Sequence, residues 1–257
     1  MSAPLLEARR LTVSIGGKEV CRDLDLALAR GQRLAILGRN GAGKSTLLST
    51  LAGLRPAAAG EVLLADHSYA ELGPRPAARL RGWMAQSQAD PFASTVLETA
   101  LAGRHPHLGR WQWESAEDTR LARDALAQVG LADLEERETP TLSGGERQRL
   151  SFATLLTQAP TLYLLDEPLA HLDLNHQITL LDLLAAKSRD EAVGCIMVLH
   201  DPGLAFRYCD QALLLHGDGS WEAGTVAQAL TAENLSRLYG HPLKEIADGK
   251  SRWFIPC

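Results

Sequence analysis

A glycine-rich loop between an apolar strand and a helix constrains the fold of this 257-residue chain more than any other feature. The run Arg33 to Leu37 predicts a short buried strand. The segment from Gly43 to Leu54 has leucines at helical spacing and stops before Pro56. The loop between them reads Gly38-Arg39-Asn40-Gly41-Ala42-Gly43-Lys44-Ser45-Thr46. Strand, loop and helix in this order predict an α/β fold with a phosphate-binding loop.

The residue types of this loop suit a nucleotide. Backbone N–H groups of residues 38–44 can surround the β-phosphate, because glycine permits close approach and left-handed dihedrals. The helix adds the positive end of its dipole. Lys44 is expected to reach the β- and γ-phosphates, and Ser45 to ligate Mg²⁺. The alternative is a glycine-rich turn without a ligand, which the flanking strand and helix disfavour.

Composition narrows the class of protein. A 46% hydrophobic and 22% charged chain is ordinary for a soluble globular domain. The net charge of −5 argues against a dominant nucleic-acid surface, so no nucleic-acid partner is expected. The four cysteines have no metal-ligand spacing, the first residues lack the layout of a signal peptide, and scattered thiols fit a reducing cytoplasm. No apolar run approaches the ~20 residues of a membrane helix, so another chain must cross any membrane at which this protein works.

Periodicity along the chain predicts the rest of the architecture. Residues 5–13 and 20–28 alternate in hydrophobicity around a Gly-Gly turn, which predicts an antiparallel pair. Residues 162–165 and 195–199 predict further buried strands, each followed by polar residues. The pattern from about residue 93 to 160 is mainly helical, and it includes an apolar stripe of Leu121, Ala125, Leu126 and Val129 that ends before Gly130. We therefore expect a single domain, 1–257, with an inserted helical subdomain at approximately 93–160.

Two adjacent carboxylates end one of these strands. Asp166 and Glu167 follow the apolar run Leu162 to Leu165. Asp166 is expected to bind Mg²⁺ through water, and Glu167 to act as a general base beside the γ-phosphate. An ordinary strand end with solvated charges is the alternative, which the upstream phosphate loop disfavours.

A further motif, Leu142-Ser143-Gly144-Gly145-Glu146, connects the phosphate loop and the two carboxylates to one protein family. Together with the phosphate loop and Asp166-Glu167, it resembles the ATP-binding cassette family over nearly the whole chain. The resemblance implies a P-loop NTPase core, in which helices flank a mostly parallel sheet, with an N-terminal antiparallel β subdomain and a helical subdomain that carries Leu142 to Glu146. A capping box at Ser143 and Glu146 explains the same residues structurally, and both interpretations can hold together.

The resemblance also assigns roles to single residues. Gln86 matches the glutamine that touches Mg²⁺ or the attacking water, and His200 the switch histidine at the γ-phosphate. In the family, the Ser and second Gly of Leu-Ser-Gly-Gly-Glu contact ATP that the opposite subunit holds. Ser143, Gly144 and Gly145 are therefore expected to bind nucleotide across a dimer, and Asp173 to lie in the loop that couples the two sites.

Some residues depart from the family or suggest other sites. Most cassette ATPases stack adenine on an aromatic residue where this chain has Ile15, so adenine recognition is expected to rest on apolar contact. His105-Pro106-His107 lacks a third ligand nearby and is interpreted as a surface turn, not as a metal site. Trp111 and Trp113 are interpreted as packing or interface residues of the helical subdomain.

The number of motifs favours a transporter subunit. One set of motifs makes half of each composite site, so two copies, or one copy and a close relative, must meet. Translation proteins of this family carry two cassettes and repair proteins a long coiled coil, and neither feature is present. We therefore expect an ATPase at the cytoplasmic face of the inner membrane, with ATP and Mg²⁺ as cofactors. Its expected partners are a second copy of the ATPase in a homodimer, a separate integral-membrane permease and, indirectly, a substrate-binding protein.

Finer resemblance is to the importers of cobalamin, haem and iron-siderophores. It rests on residues 103–109, on 200–210 with Pro202 in place of the usual Leu, and on the ending 238–240 and 253–256. The pattern Gln86-x-Gln88-x-x-Pro91-Phe92-Ala93 is slightly closer to the cobalamin branch. The alternative is a non-transport ATPase that acts as a clamp or regulator on protein or nucleic acid, which the acidic charge and the importer-like ending disfavour.

Overall fold

A six-stranded sheet forms the centre of the protein. The computed structural model describes residues 3–86, 94–249 and 251–257. Five neighbouring strands of this sheet are parallel, and the edge strand β10 pairs antiparallel with β9. In sheet order the strands are β10 (Trp221–Thr225), β9 (Gln211–Leu215), β3 (Arg33–Gly38), β8 (Gly194–Val198), β7 (Leu162–Asp166) and β6 (Arg81–Met84). The mostly parallel sheet predicted from the sequence is confirmed. Its central strands are continuous apolar runs because helices or a second sheet cover both of its faces.

An antiparallel sheet packs on one face of this central sheet. Its strand order is β2-β1-β4-β5, with β1 at Leu6–Ile15, β2 at Lys18–Leu28, β4 at Ala59–Leu64 and β5 at His67–Ser68. The turn between β1 and β2 consists of Gly16 and Gly17, both with positive φ, which suits the tight hairpin turns whose twist matches that of the strands. The predicted pair is confirmed, and its strands extend to the turn itself.

Helix α1 (Lys44–Leu51) lies between the two sheets. It is shorter than the predicted helix, which ran to Leu54. The chain leaves the helix at Gly53, where φ is +66°, and Leu54 is 52% exposed and not part of the core face. Two short helices, α2 (Tyr69–Leu72) and α3 (Pro74–Leu80), then lead into β6.

Three helices lie between β6 and β7, where the sequence predicted an inserted helical subdomain. They are α4 (Val96–Leu101), α5 (Ala116–Gln128) and α6 (Gly144–Gln158), each started by a capping box. Of the predicted apolar stripe, Ala125, Leu126 and Val129 are buried in the core that α5 forms with α4 and α6, and Leu121 is half-buried. Arg79 of α3 ties this region to the core through a 2.7 Å bond to the carbonyl of Pro106. Ala93 lies outside the described residues, so the boundary at 93 stays a prediction.

The remaining helices cover the other face of the sheet and its end. They are α7 (Leu174–Asp190), α8 (Pro202–Tyr208), α9 (Val226–Ala229) and α10 (Ala232–Tyr239). A terminal hairpin of β11 (Leu243–Asp248) and β12 (Ser251–Pro256) packs on α8. In the described ranges, no helix is long and apolar enough to cross a membrane.

Candidate nucleotide-binding site

The phosphate loop follows β3 at the carboxyl end of the central sheet. Gly41 and Gly43 have φ of +77° and +96°, and a side chain at Gly43 would collide with Val20. Glycine is therefore required there for both dihedral and space. Lys44 is buried, and its Nζ donates to the carbonyl oxygens of Gly38 at 2.9 Å and Arg39 at 3.2 Å. Burial lowers the pKa of the Lys44 ammonium, which the nearby carboxyls act to raise.

Asp166 fits the position of a metal-binding carboxylate. It is the last residue of β7 and is 4% exposed, and its Oδ1 is buried without a hydrogen-bond partner. Burial raises the pKa of this carboxyl, while the hydroxyl of Ser45 and the ammonium of Lys44 act to lower it. A buried carboxylate oxygen without a partner is costly unless a cation or a donor meets it. With the Ser45 hydroxyl beside it, the donor set suits Mg²⁺, which prefers oxygen ligands.

Glu167 is held by two of the residues that the sequence singled out. Gln86 Nε2 donates to Glu167 Oε2 at 2.9 Å, and His200 Nε2 lies 2.9 Å from Oε1. The backbone of Glu167 has a φ of +51°, a left-handed conformation that costs free energy in a non-glycine residue. Such strain is typical of functional sites. The predicted catalytic residues Glu167, Gln86 and His200 thus form one connected set.

A cleft of about 490 Å³ brings most of the predicted residues together. Its walls come from the β1–β2 hairpin, the phosphate loop, α1 and the ends of β6, β7 and β8. The lining residues are Ile15, Asn40, Gly41, Gly43, Lys44, Ser45, Thr46, Gln86, Glu167 and His200. The cleft therefore has donors for phosphates at its base and the Gln86–Glu167–His200 set on one side.

The Leu142 to Glu146 stretch lies apart from this cleft. Ser143 is the N-cap of α6, where its hydroxyl accepts from the N–H of Glu146, and Gly144 and Gly145 pack against His171. A separate pocket of about 220 Å³ is lined by Ala85, Gln86, Leu142, Gly144, Arg147, Gln148, Ser151 and His171. None of the residues 142–146 lines the phosphate-loop cleft of the described chain. In the described chain, the phosphate-loop cleft and the pocket beside Leu142 and Gly144 are therefore two regions that share only Gln86 as a lining residue.

Asp173 serves a local role within the chain. It caps the N-terminus of α7, where its Oδ1 accepts from the backbone N–H and lies 2.9 Å from the ring Nδ1 of His176. The backbone hydrogen bond from His176 lowers the pKa of the Asp173 carboxyl. These contacts fix the loop that precedes α7, beside the start of α6.

Comparison with known proteins identifies the family. A model of the family described as ABC transporter matches residues 21–170, which is more than half of the chain. The chain belongs to this family. It is an ATPase of the ABC class, and the P-loop fold predicted from its sequence is that of the family.

Individual relatives extend the match to the whole ABC chain. The hemin import ATP-binding protein of Burkholderia pseudomallei is 38% identical, over 98% of this chain and all of the relative. The protein of the same name from Deinococcus radiodurans is 40% identical over 93% of this chain and 92% of its own. A solved structure described as an inward-facing metal-chelate type ABC transporter is 28% identical, covers 99% of this chain and 98% of its own, and has a TM-score of 0.85.

Two of the other sequence predictions for this ABC ATPase have clear outcomes. The His105-Pro106-His107 turn is confirmed, and the ring Nε2 of His107 lies 2.9 Å from the carbonyl oxygen of Gln158. Within the described residues, no group of three or more His, Cys, Asp or Glu side chains is placed to hold a metal ion. Trp111 and Trp113 do not pack in the described part of the chain, since they are 88% and 86% exposed, and their interpretation as interface residues stays a prediction. The pattern from Gln88 to Ala93 lies outside the described residues.

Sequence reasoning missed a structural role of Gln148. Its buried amide Nε2 donates to the carbonyl oxygens of Glu167 at 3.2 Å and Pro168 at 3.1 Å. The signal was present, because Gln148 is a polar residue next to the buried positions of an amphipathic helix. The partner was not predictable, because it lies 19 residues away on another element.

Proposed function

We propose that this ABC ATPase powers the import of an iron-chelate substrate such as hemin through a separate membrane permease. The observation that carries the proposal is the full-length similarity to proteins named for hemin import, at 37–40% identity. The structural relative of metal-chelate type points in the same direction. These names favour the iron-chelate branch over the cobalamin branch, to which residues 86–93 are slightly closer.

The proposed site takes ATP with its phosphates on the loop from Gly38 to Thr46. The loop N–H groups and the α1 N-terminus bind the β-phosphate, and Lys44 turns from the loop carbonyls to the β- and γ-phosphates. Ser45, Asp166 and Gln86 are the residues that would hold Mg²⁺, and the bound ion would neutralise charge on the phosphate oxygens. The partnerless Oδ1 of Asp166 supports this assignment.

We assign the general base to Glu167. Its two carboxylate oxygens already bond to Gln86 and His200, at 2.9 Å each. A water that enters between these side chains and the γ-phosphate can lose its proton to Glu167. Gln86 orients that water or the metal, and His200 contacts the γ-phosphate. The left-handed backbone of Glu167 fixes the carboxylate at the strand end.

A second copy of the chain completes the site in this proposal. Ser143 and Gly144 are exposed at the N-terminus of the 15-residue helix α6, which aims backbone N–H groups outward. Ser143, Gly144 and Gly145 of one copy meet the γ-phosphate on the other, and the loop of Asp173 lies between the two sites. ATP binding therefore closes the dimer, and hydrolysis opens it.

The remaining partners follow from the transport role. A permease carries the substrate across the membrane and holds the ATPase pair at the cytoplasmic face. A substrate-binding protein delivers the substrate and touches the ATPase only indirectly.

The experiment is hemin uptake by vesicles that contain the ATPase and its permease. Wild-type protein is expected to support ATP-dependent uptake, and the Glu167→Gln variant is expected to bind ATP without sustaining it. A chain that hydrolyses ATP but supports no uptake of hemin, iron-siderophore or cobalamin would instead favour the clamp or regulator class. Deletion of the gene provides the matching genetic test, scored as growth on hemin as the iron source.

A further inference from the structure

The end of the β1–β2 hairpin places two side chains beside the nucleotide cleft. Ile15 and Lys18 are cross-strand partners on either side of the Gly16-Gly17 turn. Directly opposed residues of an antiparallel pair project from the same face of the sheet. Ile15 lines the cleft and is 42% exposed. Lys18 reaches the same loop, with its Nζ 3.4 Å from the carbonyl oxygen of Gly41.

This end of the cleft lacks an aromatic platform. No Phe, Tyr or Trp occurs among the described residues that line it. Side chains of Gly16 and Gly17 would meet nothing within 4 Å, so the turn leaves open space above the hairpin. A purine therefore finds an aliphatic side chain, open space and one nearby cation, but no aromatic ring with which to stack.

The charge of Lys18 is available to a ligand. The neighbouring Glu19 pairs with Arg22, and within the described ranges Lys18 makes no ion pair of its own. Its one hydrogen bond is a long contact with a backbone carbonyl. An ammonium held over the face of an aromatic ring is attracted by the ring quadrupole.

We propose that Lys18 is the residue that recognises the purine base, with its ammonium against the ring face and with Ile15 as the apolar wall. The proposal rests on ATP binding in this cleft. Lys18 thereby supplies the attraction to the base that an aromatic residue at the position of Ile15 provides in most cassette ATPases. Because adenine and guanine both present an aromatic face, the contact favours purine nucleotides without separating ATP from GTP.

The test compares ligands with and without a base. Dissociation constants of ATP, GTP and inorganic tripolyphosphate are measured by competition against a fluorescent nucleotide. For Lys18→Ala, ATP and GTP are expected to bind about three- to tenfold more weakly, with KM for ATP rising by the same factor. Lys18→Met, which keeps an aliphatic side chain without the charge, is expected to show most of this loss. Tripolyphosphate binding is expected to stay at the wild-type value, because that ligand has no base.

Two further variants make the outcome specific. Lys244→Ala is the control, because it removes an exposed lysine of β11 that does not line the cleft. It is expected to leave the affinities for ATP, GTP and tripolyphosphate unchanged. Ile15→Tyr supplies a ring on which the base can stack. In that background, Lys18→Ala is therefore expected to weaken ATP binding by a smaller factor than it does in the wild-type protein. Unchanged ATP affinity in Lys18→Ala, or an equal loss for tripolyphosphate, overturns the role of Lys18. Wild-type protein that fails to bind ATP would overturn the proposed nucleotide site itself.

Discussion

The side-chain amide of Gln148 joins the two halves of the ATPase motif set within one chain. It lies on α6, one turn after Ser143, and its Nε2 donates to the backbone carbonyls of Glu167 and Pro168 at 3.2 and 3.1 Å. The helix that begins after Ser143 is thus bonded to the backbone that carries the proposed general base. If the proposed dimer closure shifts α6, we therefore expect it to act directly on the position of Glu167.

We expect Gln148→Ala to lower kcat more than it raises KM for ATP. The change removes the amide donor from two backbone carbonyls, of which that of Glu167 still accepts from the N–H of Ala170 at 3.1 Å. It loosens the backbone of Glu167, at a cost of about 1–3 kcal/mol in stability. The measurements are steady-state ATPase kinetics and denaturant unfolding. Gln128→Ala is the matched control, since that amide bonds only to a carbonyl of its own helix, α5. Loss of stability with a wild-type kcat would restrict Gln148 to a structural role.

Glu167→Gln is expected to keep ATP binding and to lower kcat by about 10² or more, because the amide cannot accept the proton of water. ATP should then trap a closed dimer, visible as a doubled mass in size-exclusion chromatography. Glu233→Gln, at an exposed position of α10, provides the control and should behave as wild type. Near-normal hydrolysis by Glu167→Gln would remove Glu167 from the role of general base.

Local patterns predicted the elements that lie on continuous stretches of sequence. The strand before Gly38 and the strand ending at Asp166 were visible because parallel strands buried on both faces are continuous apolar runs. Glu167 and His200 were expected at one edge, since the carboxyl ends of parallel strands meet there, whereas Gln86 was named only from the family resemblance.

Contacts between segments far apart in the chain could not be predicted from the sequence alone. The pairing of β1 with β4, which places Leu6 opposite Leu64, joins segments far apart in the chain. Apolar content likewise did not reveal that Trp111 and Trp113 stay exposed. The bond from Gln148 to Glu167 depends on how α6 packs beside the end of β7, which no local pattern determines.

The buried ion pair of Asp118 and Arg104 should make stability depend on pH. Their atoms Oδ1 and Nε lie 2.7 Å apart, and hydrogen bonds from Ser115, then from Arg104, lower the pKa of the Asp118 carboxyl from 3.8 to about 2. A depressed folded-state pKa contributes stability above the unfolded pKa, and that stability is lost as pH falls from about 4 to about 2. Asp118→Asn is therefore expected to lose about 2 kcal/mol at pH 7.

Denaturant unfolding at pH 7, 5 and 3 tests this expectation. The gap between wild type and Asp118→Asn should narrow at pH 3. Glu117→Gln is the control, because that neighbouring carboxylate is 62% exposed and pairs only with Arg120 on its own helix, so little change is expected. A gap of constant size from pH 7 to pH 3 would show that the charge of Asp118 is not the source of the stability.

Ser143 is expected to act on the nucleotide of the partner subunit. Each proposed site takes its phosphate loop from one chain and its Ser143-Gly144-Gly145 from the other, because these residues do not line the cleft of their own described chain. A mixed dimer with Lys44→Ala on one subunit and Ser143→Arg on the other leaves one site intact and damages the second site twice. A mixed dimer with both changes on one subunit places one lesion in each site.

Nucleotide trapping in the two mixed dimers separates action in trans from action within one chain. If Ser143 acts in trans, the first dimer should hold one nucleotide in a closed site, and the second should close neither site. Action within one chain predicts the reverse, because both lesions then fall in a single site when they share a subunit. Trapping is the proper measurement, since we expect the loop of Asp173 to couple the two sites, and one intact site need not sustain hydrolysis. Equal occupancy and closure in both arrangements would defeat the assignment in trans.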